Sequence, residues 1–401
     1  MRIHGTFAAL AAAALTLTAA GAAGTRTAHA DRCSWNIVAA PNAGRVNNAG
    51  PVQALSKNDV RFGQSLFAAD LVAPWQLRWD GRSIREADQL ARIADTSLRL
   101  RSMSFDSADS GWMLLDSQTG PRRLGQGVRR QDGRWVLAPL AASPDPKNIG
   151  LWPGAVESIA PDDAWAVGSY YKAGKGSRPG FGSIGALIER WDGTRWRTVP
   201  HPADSRTDAF LNQVTALSPT DVWAIGTHHV GENIAPLIMH WDGAEWSEVP
   251  VPTWNGHALL SAISGTGPRD VWAVGAKAPE GDESSSVPMV VHWDGTSWTE
   301  VTGLPDLGDT QLTTVYAAGR NQVWATVEDS KGAVDHFLHF DGRTWRAVVV
   351  PGTRAINLRH EYGGIDGTGP DDIWASGTVV HQISTQKTAQ IAHYSCGRGQ
   401  S

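Results

Sequence analysis

The sequence predicts an all-β chain that folds as a seven-bladed β-propeller, with the ring closed by its own N-terminal strand and by a Cys33–Cys396 disulfide. Three observations lead to this prediction: two tryptophan motifs recur along the chain, the last repeat lacks one strand, and the two cysteines stand near opposite ends. The repeat period is roughly 50 residues, and such a period with short strands and regular turns is typical of propellers.

The first motif is Asp-x-Trp, at Asp163-Ala164-Trp165, Asp221-Val222-Trp223, Asp270-Val271-Trp272 and Asp372-Ile373-Trp374, with the variant Gln322-Val323-Trp324. The second is Trp-Asp-Gly-x-x-Trp, at 191–196, 241–246 and 293–298, with a phenylalanine variant at 340–345. Blades diverge outward from a common axis, so large flat side chains are needed to fill the gaps between them. We therefore interpret both motifs as structural, and we expect the Asp-x-Trp carboxylate to bond the backbone of its own turn.

A histidine precedes the second motif in four repeats, at His240, His292, His339 and His393. Such an array suggests a metal site, but we interpret these histidines as packed side chains.

The repeat units begin near Val52, Leu100, Val156, Val214, Ser261, Leu312 and Tyr362. In the clearest unit we predict four strands at 214–217, 222–227, 236–241 and 246–249, with a longer loop at 228–235 and an Asp242-Gly243 hairpin turn.

The last unit ends before its fourth strand, and residues 34–41 match the fourth strands of the other units. We therefore expect the N-terminal strand to lie beside the strand that contains Ala392 and Tyr394. Cys33 and Cys396 would then meet at one position of a hairpin, within disulfide reach.

Residues 1–30 have a weakly basic start, an apolar stretch and a small-x-small ending before Asp31, which together predict a signal peptide. Residues 31–401 then form the propeller as a single domain. An exported chain with two cysteines is expected to contain one disulfide. The net charge is −5 without a basic stripe, and no later segment is strongly apolar, so we expect neither nucleic-acid binding nor membrane insertion.

The strand order predicts two different faces of the ring. The turn face carries the tight turns, such as 218–221 and 242–243, and the loop face carries the variable segments, such as 228–235 and 254–257. Variable loops on a rigid scaffold are the usual place for binding residues. The candidate ligand-binding residues on the loop face are Tyr170, Tyr171, Trp254, Asn255, His257, His360 and Tyr362. Aromatic rings stack on sugars, while amide and imidazole groups bond their hydroxyls. We assign no catalytic residue, metal ligand or cofactor, and the sequence leaves calcium binding open.

The alternative is an extracellular hydrolase or lyase of the sialidase-like propeller type. Arg354, Arg359, Glu361 and Tyr362 offer the residue types of a sialidase, and His257, His360 and Glu361 those of a metal lyase. No Gly-x-Ser-x-Gly or His-Glu-x-x-His motif is present. Three or more ionisable residues around the central channel would favour an enzyme, whereas shallow aromatic-lined pockets between blades would favour a binding module.

The segments Asp-Val-Trp-Ala-Val-Gly at 270–275 and His-Trp-Asp-Gly-Thr-Ser-Trp at 292–298 resemble the repeats of secreted actinobacterial tryptophan-rich propellers. This resemblance spans nearly all of the mature chain, and the chain is similar in architecture to the lectin component of Streptomyces umbrella toxin particles. The resemblance implies a lectin-like protein without enzymatic activity that binds a cell-surface glycan. It also implies a small secreted adaptor protein as a partner that joins the propeller to a secreted toxin complex.

Overall fold

The computed structural model describes residues 33–396, except for 42–45, 49, 69–70, 88–97, 118–124, 142–149, 173–182, 207, 279–284, 331–332, 335, 351, 353–357 and 382–386. The predicted signal peptide, residues 1–30, lies outside the described residues. The described strands form seven antiparallel sheets, which are the seven predicted blades. No helix in these ranges is long and apolar enough to span a membrane.

Blade 1 consists of β2 (Val46–Asn48), β3 (Val52–Ser56), β4 (Asp59–Ala68), β5 (Leu71–Trp79) and β6 (Ile84–Glu86). Blade 2 consists of β7 (Leu98–Phe105), β8 (Gly111–Ser117), β9 (Gly125–Gln131) and β10 (Arg134–Leu137). Blade 3 consists of β11 (Leu151–Ala160), β12 (Asp163–Lys172), β13 (Ser183–Trp191) and β14 (Trp196–Thr198). A 3-10 helix at Pro202–Ser205 leads into blade 4, which consists of β15 (Phe210–Ser218), β16 (Asp221–Val230), β17 (Asn233–Trp241) and β18 (Trp246–Glu248).

Blade 5 consists of β19 (Ala258–Gly267), β20 (Asp270–Lys277), β21 (Val287–Trp293) and β22 (Trp298–Glu300). Blade 6 consists of β23 (Thr310–Gly319), β24 (Gln322–Asp329), β25 (His336–Phe340) and β26 (Trp345–Val349). Blade 7 consists of β27 (Leu358–Gly369), β28 (Asp372–His381), β29 (Lys387–Cys396) and β1 (Cys33–Val38). Each of β3, β7, β11, β15, β19, β23 and β27 contacts the equivalent strands of the neighbouring blades, so these seven strands form the inner wall of the ring.

Blade 4 shows where the sequence underestimated strand length. Its second strand continues to Val230 and its third begins at Asn233, with His228 pairing with Ala235 across the ladder. The longer loop predicted at 228–235 was therefore wrong, since a two-residue turn joins the strands. Gly231 at this turn has a φ of 62°, a left-handed conformation that glycine adopts without a steric penalty.

The N-terminal strand closes the ring as predicted. β1 pairs antiparallel with β29, with Cys33 opposite Cys396 and Trp35 opposite Tyr394, and the two cysteines form the predicted disulfide. Trp35 is buried, and its ring lies 5.4 Å from that of Trp324 in blade 6. The disulfide indicates an oxidising compartment.

The motif tryptophans fill the gaps between blades. Trp223 of blade 4 is 1% exposed, and its ring packs against Trp293 and Trp298 of blade 5 at 5.2 and 5.5 Å. Blades 3 and 4 meet in the same way through Trp165 and Trp246, at 5.1 Å. Aromatic contacts of this type are worth about 0.5–1.5 kcal/mol beyond the burial of their surface.

The Asp-x-Trp carboxylate bonds differently from our expectation. In blade 5, Oδ1 of Asp270 accepts hydrogen bonds from the indole N–H of Trp272 and from Nε2 of His292, both at 2.9 Å. Blades 4 and 7 repeat this arrangement. Side chains two residues apart on a strand point to the same side, which brings the carboxylate to the indole rather than to the turn.

The turn-bonding role belongs to the aspartate of the second motif. Oδ1 of Asp294 accepts hydrogen bonds from the backbone N–H groups of Thr296 and Ser297 at 2.8 and 2.9 Å. Together with the Thr296 hydroxyl, these donors hold the pKa of Asp294 at about 2. Both motifs are thus occupied by scaffold contacts in this blade.

Candidate functional site

A ring of polar side chains surrounds the channel on the inner strands. All seven occupy the same position in their blades, on the inner strand and opposite the tryptophan of the second strand; in blade 1 Arg61 stands where that tryptophan would be. These residues are Gln53, Ser104, Glu157, Thr215, Ser264, Tyr316 and Asp366. Four of these side chains accept a hydrogen bond from a backbone N–H of the next blade. The pairs are Asp366 with Ala54 at 2.8 Å, Gln53 with Phe105 at 2.6 Å, Ser104 with Ser158 at 2.9 Å and Ser264 with Ala317 at 3.0 Å. These hydrogen bonds tie adjacent inner strands together. The ring also includes three ionisable residues, Glu157, Tyr316 and Asp366, which is the pattern around the channel that would favour an enzyme.

Glu157 and Asp366 belong to blades 3 and 7, so their interaction runs across the channel. Burial among the inner strands raises the pKa of Glu157 to about 8, and the charge of Asp366 adds to the shift. Burial also raises the pKa of Asp366 to about 7, against backbone hydrogen bonds from Ala54 and Gly367. Glu157 is therefore protonated at neutral pH.

In the described part of the chain, no three His, Cys, Asp or Glu residues converge to hold a metal ion.

The loop face carries a depression of about 500 Å³ where blades 2, 3 and 4 meet. Each of the three blades contributes three equivalent residues. The first lies on the inner strand, the second is the β-bulge residue two positions further along that strand, and the third lies on the second strand, opposite the first. These are Arg99, Arg101 and Asp116 in blade 2, Trp152, Gly154 and Ser169 in blade 3, and Phe210, Asn212 and Thr227 in blade 4. A β-bulge changes the direction of a residue relative to the regular ladder. Here the bulge residues of all three blades line the same depression.

The walls of this depression combine aromatic and polar groups. Trp152 and Phe210 line it, and Tyr171 packs behind Trp152 with its ring 4.2 Å from the indole. The side-chain N–H of Asn212 donates to the backbone oxygen of Leu260 at 3.0 Å, which holds this exposed amide in place. Thr227 and Ser169 add hydroxyl groups to the lining. An aromatic wall beside fixed hydrogen-bonding groups is the chemistry that sugar recognition requires.

The seven predicted ligand-binding residues do not form one cluster. Tyr170 and Tyr171 lie on β12, Trp254, Asn255 and His257 share the segment before β19, and His360 and Tyr362 lie on β27. Tyr170, His360 and Tyr362 are buried, at 5%, 2% and 3% exposure. Nδ1 of His360 lies 2.6 Å from Oε1 of Gln390, and the ring of Tyr362 packs on Phe337. These three side chains are part of the blade cores.

The remaining candidates are closer to solvent. Tyr171, Trp254 and His257 are half-buried and Asn255 is exposed. The indole N–H of Trp254 donates to Glu300 at 2.7 Å, and Nδ1 of His257 accepts from the backbone of Ile234 at 3.1 Å. These two polar atoms therefore have partners within the protein, which leaves the ring faces of Trp254 and His257 and the Asn255 amide for a ligand.

The residues of the sialidase alternative are not arranged as that chemistry requires. Glu361 forms ion pairs with Arg359 and with Lys387, the latter at 2.8 Å. Although burial raises the pKa of Glu361, hydrogen bonds from Lys387 and Arg359 hold it below its usual value. The Tyr362 side chain is buried, and Arg354 lies outside the described residues. This geometry does not favour the hydrolase alternative.

The turn face has a depression of about 580 Å³ between blades 3 and 4, beside Trp191. Its charged groups pair with each other, because Arg190 bonds Asp163 at 2.8 Å and Arg197 bonds Asp192. These ion pairs satisfy both of its arginines, whereas a positive charge remains at the loop-face depression. The loop-face depression is therefore the better candidate for a ligand.

Arg99, Arg101 and Trp152 were missed at the sequence level. They fall outside both tryptophan motifs and outside the loops, because they lie on inner strands. The alternation Leu98-Arg99-Leu100-Arg101 contained a usable signal, since residues two apart on a strand share a face. Two arginines on one face of an innermost strand indicate a charged lining.

A scan against protein-family models finds no match, and a search of curated proteins finds no relative. Among solved structures, YCF48 from Cyanidioschyzon merolae is similar with a TM-score of 0.51 and 15% identity, over 90% of this chain and 98% of that one. The GH74 xyloglucanase from Xanthomonas campestris is similar with a TM-score of 0.53 and 11% identity, over 89% of this chain and 55% of that one. At such identities, these similarities show the β-propeller fold alone.

Proposed function

We propose that the protein is a secreted, non-enzymatic propeller that recognises a cell-surface carbohydrate through its loop face. The observation that carries this proposal is the depression between blades 2, 3 and 4, where Trp152 stands beside Tyr171 and the fixed amide of Asn212. A sugar ring stacked on Trp152 would place its hydroxyls near Asn212 and Thr227. The segment with Trp254, Asn255 and His257 offers a second aromatic and polar patch on the same face.

Such a site is expected to bind one carbohydrate unit weakly. Stacking contributes about 0.5–1.5 kcal/mol and each hydrogen bond about 1 kcal/mol net. Useful avidity then comes from presenting several sites at once. This supports the further part of the proposal, in which a small secreted adaptor protein joins the propeller to a larger particle as the targeting subunit of a toxin complex.

The test is binding of the purified mature protein to a glycan array and to purified Gram-positive cell walls. Trp152→Leu is expected to lower carbohydrate binding about two- to tenfold through the lost stacking, and Trp254→Leu tests the second patch. Trp79→Leu is the matched control, because Trp79 is also half-buried but lies at a turn-face hairpin. Melting temperatures of all variants separate lost binding from lost folding.

Two results would contradict the proposal. One is wild-type retention on walls and glycans no greater than that of an unrelated propeller. The other is release of cleaved carbohydrate by the wild-type protein, which would establish turnover.

A further inference from the structure

The loop-face depression has an unusual concentration of positive charge on its blade 2 side. Arg99 and Arg101 both belong to β7, and Arg101 is the bulge residue between Leu100 and Ser102 in the ladder. Blades 3 and 4 place Gly154 and Asn212 at the bulge position, so the second cation is specific to blade 2. The scaffold repeat therefore does not require it.

The charges of the depression do not balance. Among the described residues, its lining contains two arginines and a single carboxylate, that of Asp116, which is 4% exposed and lies opposite Arg99 in the ladder. Arg101 is exposed, and in the described part of the chain its guanidinium has no hydrogen-bond or ion-pair partner. One positive charge thus remains at the opening of the depression.

The two guanidinium groups also repel each other. Burial lowers the pKa of Arg99, the nearby charge of Arg101 lowers it further, and the charge of Asp116 acts in the opposite direction. The lowered pKa of Arg99 does not remove its charge at neutral pH, because an arginine is effectively always protonated. A bound anion would relieve this repulsion, whereas a neutral sugar would leave it in place.

We propose that this depression recognises an anionic group on the carbohydrate, either a carboxylate or a phosphate, held by Arg99 and Arg101. The inference rests on the proposed function and specifies its ligand class. Guanidinium groups match both anions with paired, charge-assisted hydrogen bonds. Trp152 and Asn212 are placed to contact the sugar that carries the anion.

The experiment compares three preparations of the same Gram-positive cell walls: untreated walls, walls whose carboxylates have been reduced to alcohols, and walls stripped of phosphodiester polymers with hydrofluoric acid. Retention is measured for the wild type, Arg101→Gln and Arg343→Gln. Arg343 is an exposed arginine on the turn face, so its variant matches the change in charge. Arg101→Gln is expected to bind untreated walls roughly tenfold to a hundredfold more weakly, the loss expected for a hydrogen-bonded charged partner. Arg343→Gln is expected to bind like the wild type.

The treatments identify the source of the anion. Loss of wild-type binding after carboxylate reduction supports a uronic-type carboxylate, and loss after hydrofluoric acid supports a phosphate. Unchanged binding after both treatments, or equal retention of wild type and Arg101→Gln, overturns the anionic ligand while the proposed function stands. Failure of the wild type to bind any wall or glycan overturns the proposed function, and this inference with it.

Discussion

His339 stacks on Trp324 with ring centroids 3.9 Å apart and ring planes 15° apart. The equivalent His292 of blade 5 also bonds Asp270, but blade 6 has Gln322 at the aspartate position. As a result, Nε2 of His339, Nε1 of Trp324 and Oε1 of Gln322 are buried without a hydrogen-bond partner in the described residues. Blade 6 therefore lacks the hydrogen bonds that hold the same contact together in blades 4, 5 and 7.

Gln322→Asp is expected to raise the free energy of unfolding by about 1–2 kcal/mol at neutral pH, because one carboxylate can accept from both the imidazole and the indole. The measurement is the urea midpoint. Asp270→Gln is the mirror-image control and is expected to lower stability by a similar amount. A less stable Gln322→Asp protein would contradict this account of the motif.

The stability of the protein is expected to fall between pH 6.5 and pH 4 in part through His339. Burial lowers the pKa of His339 to about 4 in the folded protein. As the pH falls, this histidine is protonated in the unfolded chain before it is protonated in the folded protein. Its contribution to the free energy of unfolding is therefore complete above about pH 6.5 and is lost toward pH 4. His339→Phe should keep the stacking and flatten this part of the pH profile, whereas His381→Phe should not. Parallel profiles for His339→Phe and the wild type would disprove the assignment.

Glu157 has the opposite dependence on pH. Its pKa is raised to about 8, so folding favours the protonated acid, and stability is lost as the pH rises from about 4.5 through 8. Glu157→Gln is expected to match the wild type at pH 4 and to exceed it at pH 9 by about 1–3 kcal/mol. Glu232→Gln, at an exposed turn, is the control and should have no such effect. Equal stability of Glu157→Gln and wild type at pH 9 would show that the channel does not disfavour the charge.

Reduction of the Cys33–Cys396 disulfide is expected to cost about 2–4 kcal/mol of stability. The bridge joins residues separated by 363 positions, and its loss frees β1 from the outer edge of blade 7. Hydrogen exchange should then rise first at the backbone groups that pair β1 with β29, while blade 4 stays protected. A Cys33→Ser/Cys396→Ser protein should reproduce the reduced wild type. Two titratable thiols in the unreduced, denatured protein would contradict the bridge.

The blades and the ring closure could be predicted because both follow from repeated local patterns. Each Asp-Gly turn and each alternating strand can be recognised within one unit, and the match of residues 34–41 to a fourth strand needs only the phase of the repeat. The partner of the Asp-x-Trp carboxylate could not be predicted in this way. It depends on how the third strand brings His292 next to Asp270, which is a property of the sheet.

The candidate site was harder to predict for a related reason. The expected residues were chosen by side-chain chemistry in variable segments, but His360 and Tyr362 lie on an inner strand whose register buries them. Arg101 was overlooked instead. The alternation at 98–101 indicates a charged lining, but the sequence contains no signal of the bulge that turns Arg101 toward the depression. Burial and bulges are set by pairing between strands, so residue type alone does not reveal them.

The pairing of β1 with β29 also has a consequence for how the chain folds. The first and last strands of the described fold must meet before blade 7 is complete, so no fragment that ends before β29 can close the ring. Closing so long a loop carries a large entropic cost, and contacts between distant residues slow folding. A circular permutant that joins residue 396 to residue 33 by a short linker and opens the chain between blades 3 and 4 would make this contact a local hairpin. Blade 7 would then be completed within one hairpin, without a contact between the two ends of the chain.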